Sequence, residues 1–548
     1  MRGRDVFLES LKLHGVTRIF GNPGTTESPL LDNLADHPEI EYIIHLHEGV
    51  AVGAANIYAQ VSGGTAVSNM HVAPGLGNAI GMMYGALKNS SPMIVTAGAQ
   101  DTRIRLNDPV LGHDLAAMAA PVAKWSVQVE HADEMALIMQ RAFKIANTHP
   151  AGPVFVALPI NVMEQETTHA ATRANLGWTR SPAPPGAVQA IVNSLESAAA
   201  PVIVAGDDVV RAGAGADLVA LAEKIGAPVY VELLTGRVAF PTDHPHFRGR
   251  LGPDARAMNA VLRNHDTVLM IGGPFFEEIW WSDASPFGEG STVIHLEETP
   301  TRLGHVHVAD VEVSGDIARV LEEVLVTVSD AGDERRTAVT AQKTQLDADA
   351  EARFNALKDR SPMTPTRALA EIASHIDANA IVVDESITAS LDVVRQFRFG
   401  AGHDYFGGRG GGIGQGIAGS IGAAVAATDR QVVAISGDGS AMYSVQALWT
   451  AAHHDLDILF IILSNREYRV LKHNIDQYRR RFDAPSNKPY PHMDLSKPTL
   501  GFVDMAKGMG VAAEQVTGPA DIGAAIARSR ETTGPYLVDV VVEGMETR

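Results

Sequence analysis

Short apolar, β-branched runs that break off at glycine-rich or acidic turns recur along the chain, with stretches of helical spacing between them. Such runs read as strands buried on both faces, and the alternation predicts parallel α/β units. In the first hundred residues they fall at 17–20, 41–47, 65–70 and 92–97, behind an amphipathic helix carrying Val6, Leu8, Leu11 and Leu13. A second set, at 201–206, 228–231 and 267–272, flanks a helix over 216–225. A third lies at 380–386, 431–436 and 458–463. Met442, Val445, Leu448, Trp449 and Ala452 recur at helical spacing, predicting one helix between the last two strands.

Parallel strands deliver their C-terminal turns to one edge of a sheet, which is where open α/β sheets bind ligands. Strand 17–20 runs into a turn rich in breakers that presents Thr25. Strand 41–47 ends on Glu48, at the start of a helix rich in Ala and Gly, a tightly packed and poorly solvated place. Strand 65–70 delivers His71, and an imidazole titrates near neutrality. Each has a plainer reading: a turn or cap residue for Thr25, a helix-start acid for Glu48, a satisfied core histidine for His71.

Strand 431–436 ends at Gly437-Asp438-Gly439-Ser440, and strand 458–463 delivers Ser464-Asn465 to the same edge. One carboxylate and one amide oxygen suit a hard divalent ion such as Mg²⁺, which completes its shell with phosphate oxygens and water. Glycines beside Asp438 let backbone N–H groups approach those phosphates. The plainer reading is a solvent-facing Asp-Gly turn.

The strand-GDG-helix-strand-Asn unit resembles the diphosphate-binding motif of thiamine-diphosphate enzymes. The segments GNPGTTE, LHEGVAVGAA and NMHVAPGLGNAIG, in that order, resemble the pyrimidine-binding domain of the thiamine-diphosphate decarboxylases, above all the benzoylformate decarboxylase family. The resemblance implies an α/β fold of three doubly wound domains with mainly parallel sheets. These are a pyrimidine-binding domain over 1–180, a middle domain over 187–330 and a diphosphate-binding domain over 361–548, with a Pro-containing linker at 167–186. It implies a lyase that decarboxylates a 2-oxo acid to an aldehyde without oxidation, using thiamine diphosphate and Mg²⁺.

The same resemblance gives residues their roles. Glu48 would hydrogen-bond the aminopyrimidine ring and promote its imino tautomer. His71 would bind the substrate carboxylate or relay a proton, and Thr25 matches a serine near the substrate. Thr388, Gly437, Asp438, Gly439, Ser440 and Asn465 would hold the diphosphate, with Asp438, Asn465 and the Glu467 carbonyl on the metal and Ile413 as the wedge beneath the cofactor. Since Glu48 and Asp438 lie in different domains, it also implies a cofactor bridging two subunits of a homo-oligomer, at least a dimer and in the family pattern a homotetramer.

Two features depart from the pattern, at Ile279 and after Asn465. Ile279 stands where the resembling enzymes carry a second histidine, next to Trp280 and Trp281, which read as a pocket wall or an interface patch. The glycine run 407–416 lacks the strand-to-helix setting of a dinucleotide fingerprint. After Asn465 comes a basic cluster, 466–481, suited to an anionic tail such as coenzyme A or to a solvated face or subunit contact. A carboligase or lyase of the same superfamily, such as a 2-hydroxyacyl-CoA lyase or an acetolactate-synthase-like enzyme, is therefore the second reading, and a middle-domain flavin stays open.

Composition narrows the field. A chain of 548 residues exceeds one core, and the charged, Ala-rich stretch 331–360 predicts a solvated helix. A net charge of -20 argues against a nucleic-acid partner. With no cysteine there can be no disulfide, thiolate metal site or cysteine nucleophile. No apolar run reaches the length of a membrane span and no signal-peptide core leads the chain, so the expectation is a cytoplasmic enzyme acting on a small 2-oxo acid or acyl-CoA substrate.

Overall fold

A computed structural model of the chain describes residues 1–176, 181–400 and 402–545. Residues 177–180, within the expected linker and at the end of the expected first domain, lie outside the described residues, as do residues 401 and 546–548 of the expected third domain. The described chain builds three six-stranded sheets. The first comprises β1 (Arg18–Gly21), β2 (Glu41–Ile44), β3 (Ala66–Met70), β4 (Met93–Ala99), β5 (Trp125–Gln128) and β6 (Pro153–Pro159). The second comprises β7 (Pro201–Ala205), β8 (Val229–Val231), β9 (Phe247–Arg250), β10 (Thr267–Ile271), β11 (Thr292–Glu297) and β12 (Val311–Ser314). The third comprises β13 (Ile381–Glu385), β14 (Tyr405–Gly407), β15 (Val432–Gly437), β16 (Ile458–Ser464), β17 (Ala512–Val516) and β18 (Tyr536–Val541).

Helices link the strands, and central strands such as β10 and β16 are buried along their whole length. Both faces of such a strand need apolar side chains, which is why these runs are continuous rather than alternating. The first and third sheets share one order of central strands, β1-β3-β4-β6-β5 and β13-β15-β16-β18-β17. The middle sheet runs β12-β11-β10-β7-β8-β9, a doubly wound order with its reversal between β7 and β10.

The chain forms two compact units. One gathers Met1–Gly177, His375–Thr388 and Gly408–Arg548 and so holds the first sheet and most of the third; the other, Trp178–Ser374 with Ala389–Gly407, holds the middle sheet. Within the first unit, the helix Glu48–Ser62 is buried nearly all round and packs against the helix Gln415–Ala426. Small residues permit the approach: a Cβ on Gly422 would lie 1.9 Å from the Ala54 carbonyl oxygen. Asn56 donates to Gln415 Oε1 at 2.8 Å and accepts from Ser91 Oγ at 2.6 Å, satisfying the polar groups buried beside this contact.

Two expected elements differ. Strand 41–47 stops at Ile44, because His45 Nδ1 bonds back to the Ile43 carbonyl and the chain turns. His47 then caps the next helix by accepting from Gly49 N. In place of one helix after Asp438 there are two short ones, Asp438–Ala441 and Ala447–His453. Tyr443, Ser444, Ala447, Leu448 and Trp449 donate to carbonyls three residues back. Met442, Val445 and Leu448 stand three apart, a spacing that fits tight turns as well as an α-helix. The stretch 331–360 contains the helix Asp333–Leu357, of which only Val339 is buried.

Candidate active site

In the first sheet β1 and β3 are neighbours whose chains leave in opposite directions, which opens a crevice at their C-terminal ends. His71 follows β3 directly, and Val72 after it adopts φ 44°, a strained value for a β-branched residue. His71 Nδ1 lies 2.8 Å from Glu27 Oε2. Glu27 is buried and takes further hydrogen bonds from Gly24 N, Gly98 N and Thr26 Oγ1. A Cβ on Gly98 would come within 2.1 Å of Glu27 Oε1, so only glycine leaves room for the carboxylate. The imidazole thus donates from Nδ1, and its Nε2 is the acceptor nitrogen of the ring.

Thr25 is exposed, its carbonyl accepting from Ser28 Oγ, whereas the hydroxyl beside His71 is that of Thr26, at 3.3 Å from Nδ1. Glu48 is the first residue of its helix, buried, with Oε2 accepting from Asn78 Nδ2 at 3.0 Å. Tyr42 donates to Asn69 Oδ1, and burial together with the charges of Glu27 and Glu48 raises its pKa, keeping the phenol protonated. Glu27, Thr26 and Tyr42 had not been singled out from sequence. The one available signal was Glu27 standing three residues after Gly24, the spacing of a capping carboxylate.

In the third sheet Asp438 follows the glycine that ends β15. Its Oδ2 accepts from Arg466 N at 2.6 Å and its Oδ1 from Gly439 N at 2.8 Å, so the two turns meet. Arg466 pays for that meeting with a left-handed φ of 60°. Asn465 Oδ1 accepts from Glu467 N. The Glu467 side chain is engaged elsewhere, paired with buried Lys472 and accepting from Met545 N. Burial pushes Asp438 up to about 6 against the two N–H donors, and the charges of Asp539 and Glu467 add to the rise.

A bound cation would reverse that rise. Among the described residues no three His, Cys, Asp or Glu side chains stand together as a metal site. The oxygens on the turns that meet are of another kind: the Asp438 carboxylate, the Asn465 amide oxygen and, two residues on, the Glu467 carbonyl would be hard oxygens of the sort Mg²⁺ takes. Gly437, Gly439 and Ser440 line the start of the short helix, with open space around Gly437. Thr388 lies in the turn Ile387–Ala389 after β13, the strand next to β15.

The glycine run does have a strand before it and a helix after it, β14 and Gln415–Ala426, contrary to expectation; a three-residue strand leaves no pattern to read. Even so, no dinucleotide phosphate fits that helix start, because Glu385 occupies it. Its carboxylate accepts from Gly414, Gln415 and Gly416 N–H at 2.8 to 3.1 Å. Full burial pushes Glu385 up to about 7 despite those three donors. Ile413 directly precedes this anchored segment.

Ile279 and Trp281 are exposed in the middle unit. His295, His305 and His307 of that unit line a cavity with Phe275, Phe276, Glu297 and Arg302, and His307 Nε2 lies 4.0 Å from Glu278 Oε1, next in the chain to Ile279. At the reversal between β7 and β10 stand Asp207 and Asp208. Asp207 accepts from Gly236 N and Arg237 N, and Asp208 pairs with Arg302 and Arg211. In the basic cluster, now the helix Arg469–Arg481, Arg469 is spent on the Glu543 carbonyl and Arg479 on Asp476 and the Lys488 carbonyl.

Three doubly wound sheets with an Asp-Asn oxygen site on one and a buried Glu on another define an α/β cofactor enzyme. The thiamine pyrophosphate enzyme family matches in three parts: its N-terminal TPP binding domain over residues 1–119, its central domain over 188–324 and its C-terminal TPP binding domain over 388–540. Benzoylformate decarboxylase of Pseudomonas aeruginosa is 30% identical over 98% of both chains. Glyoxylate carboligase of Escherichia coli is 27% identical over 99% of this chain and 93% of its own. The structure of a 4-hydroxybenzoylformate decarboxylase of Rhodococcus jostii superposes with a TM-score of 0.87, at 27% identity and 99% coverage of both.

The chain belongs to the thiamine-diphosphate enzymes, in the superfamily of decarboxylases, acetolactate synthases and carboligases. Its cofactor is thiamine diphosphate, and Mg²⁺ is the metal that usually accompanies it in this family. No helix among the described residues is long and apolar enough to cross a membrane.

Proposed function

We propose that the enzyme decarboxylates a 2-oxo acid with a benzoylformate-like side chain, releasing CO₂ and an aldehyde. The observation that carries this reading is the His71–Glu27 pair at the crevice of the first sheet, in a chain similar along its whole length to benzoylformate decarboxylase. Bound thiamine diphosphate supplies an electron sink for the pair left behind when CO₂ departs. The chain's own residues do the rest. Glu48 holds a proton at the pyrimidine ring. His71, donating to Glu27 through Nδ1, turns Nε2 toward the substrate and carries a proton there. Thr25 and Thr26 offer hydroxyls on the same turn. Asp438, Asn465 and the Glu467 carbonyl would hold the metal, Gly437, Gly439, Ser440 and Thr388 the diphosphate, and Ile413 would support the cofactor.

In this reading residues 1–180, 187–330 and 361–548 act as pyrimidine-binding, middle and diphosphate-binding domains. Two chains of a homo-oligomer share each cofactor, as a dimer within a tetramer, and the enzyme works in the cytoplasm. The test is cofactor-dependent CO₂ release from benzoylformate, pyruvate and a branched 2-oxo acid, with aldehyde quantified alongside. Stoichiometric aldehyde from benzoylformate supports the reading; no CO₂ from any of the three, despite bound cofactor, overturns it.

The exposed Ile279 favours a second reading, carbon–carbon ligation or lysis, because no imidazole at that position protonates the product. Its signature would be an acyloin product in place of free aldehyde. Within that reading the arginines already spent on Glu543, Asp476 and Lys488 weigh against a coenzyme A tail.

A further inference from the structure

Behind Asp438 stands a second carboxylate without a role so far. Asp539 lies on β18, in register with Ile462 of β16 and Gln515 of β17, and is 1% exposed. Its Oδ1 accepts from Ser464 Oγ at 2.5 Å and its Oδ2 from Gln515 Nε2 at 2.6 Å. Both donors are neutral, so nothing in its hydrogen bonding cancels its charge. It lines one small cavity with Asp438, Ser464, Arg466, Thr499 and Gln515. Of the charged groups around this cavity, Glu467 is paired with Lys472, and Arg466 is exposed.

Ser464 is the last residue before Asn465, and Arg466 N is the donor to Asp438. A continuous path therefore runs from Asp539 through Ser464 to the Asn465 turn and on to Asp438. We infer that Asp539 is a positioning residue of the divalent-metal site. It fixes Ser464 so that Asn465 is presented to the ion, and it adds a second negative charge behind Asp438 that a bound cation offsets. Removing that charge weakens metal binding and relieves the metal-free protein of a buried repulsion. This rests on the thiamine-diphosphate and Mg²⁺ reading of the Asp438–Asn465 turn.

Two variants of the full chain separate the parts of the role. Asp539→Asn removes the charge and keeps both hydrogen bonds, since the Gln515 amide can turn over to accept. Ser464→Ala keeps the charge and removes the positioning bond. The readouts are the Mg²⁺ concentration that half-saturates binding of thiamine diphosphate, followed by tryptophan fluorescence, and the thermal midpoint of the metal-free protein. Asp539→Asn is expected to raise the half-saturating Mg²⁺ about tenfold and to raise the metal-free midpoint. Ser464→Ala is expected to raise the half-saturating Mg²⁺ and to lower that midpoint. Unchanged Mg²⁺ dependence in a folded Asp539→Asn protein overturns the assignment; if that variant does not fold, unchanged dependence in Ser464→Ala does so. A wild-type chain with no Mg²⁺-dependent binding of thiamine diphosphate would sink the metal reading itself, and this inference with it.

Discussion

Glu27 closes around His71: one carboxylate oxygen takes the Nδ1 proton at 2.8 Å while Gly24, Thr26 and Gly98 supply its other donors. A carboxylate so fully satisfied holds the ring in one tautomer and one orientation. Glu27→Gln keeps the size and loses the preference for Nδ1–H. The expected outcome is a fall in kcat of about 10- to 100-fold, with a lower thermal midpoint as well, because the new amide nitrogen must face the N–H of either Gly24 or Gly98. Steady-state kinetics across pH check it, and an unchanged profile would show that the pair is structural only.

Glu48 Oε2 accepts from Asn78 Nδ2, and the proposed function has this carboxylate act at the ring. Glu48→Gln is expected to lower turnover by about a hundredfold or more while cofactor binding persists. Activity and fluorescence quenching by thiamine diphosphate, measured on the same sample, separate the two. Turnover at wild-type level would remove Glu48 from the chemistry.

Glu385 carries a pH dependence whose sign follows from its burial. Its folded value is about 7 against an ordinary 4.5, so the unfolded chain gives up the proton first. The stability tied to its protonated form is fully present below pH 4.5 and is lost as pH rises through about 7. The shift corresponds to about 3 kcal/mol as an upper limit. Denaturant midpoints of the cofactor-free protein should decline over this window, and Glu385→Gln should flatten the decline. A slope unaltered in the variant would assign the titration to another group.

Stripping the metal with EDTA is expected to release thiamine diphosphate, since Asp438 and Asn465 would reach the diphosphate through the ion. Ligand linkage gives about 2.7 kcal/mol of stabilisation when free ligand exceeds its Kd a hundredfold. The thermal midpoint should therefore fall on chelation and recover with Mg²⁺. Retention of the cofactor through dialysis against EDTA would contradict the role given to these residues.

Gly422 meets the Ala54 carbonyl too closely for any side chain. Gly422→Ala must push apart the helices Glu48–Ser62 and Gln415–Ala426, at a cost of about 2 to 3 kcal/mol. Urea titration of the two proteins measures it, and equal midpoints would mean that the contact has slack.

Much of this fold could be read in the chain because β7, β10 and β16 are nearly continuous apolar runs ending at obvious turns. The Asp438–Asn465 meeting was legible for the same reason, as both residues follow strands that pair in parallel. Strands such as Trp125–Gln128, Phe247–Arg250 and Tyr405–Gly407 were not, being short and partly polar or too brief to show a period. Glu27 was hidden for a different reason. Its partners are His71, just after β3, and Gly98, within β4, and no local spacing records a contact made by topology. The break after Ala441 was lost because a three-residue spacing serves two kinds of turn.

The contact of the helix Glu48–Ser62 with the helix Gln415–Ala426 has a consequence for how the chain is made. Asn56 and Gln415 stand 359 residues apart. At translation rates of about 5 to 20 residues per second, a ribosome needs about 20 to 70 seconds to supply the second helix after the first. Throughout that interval the face of this helix that meets Gln415–Ala426 has no cover, although the first sheet and the helix Val72–Lys88 pack against the rest of it, and the whole middle unit is synthesised in the meantime. Newly made first domain is therefore a natural client for a holdase chaperone, and slower elongation would lengthen its exposure.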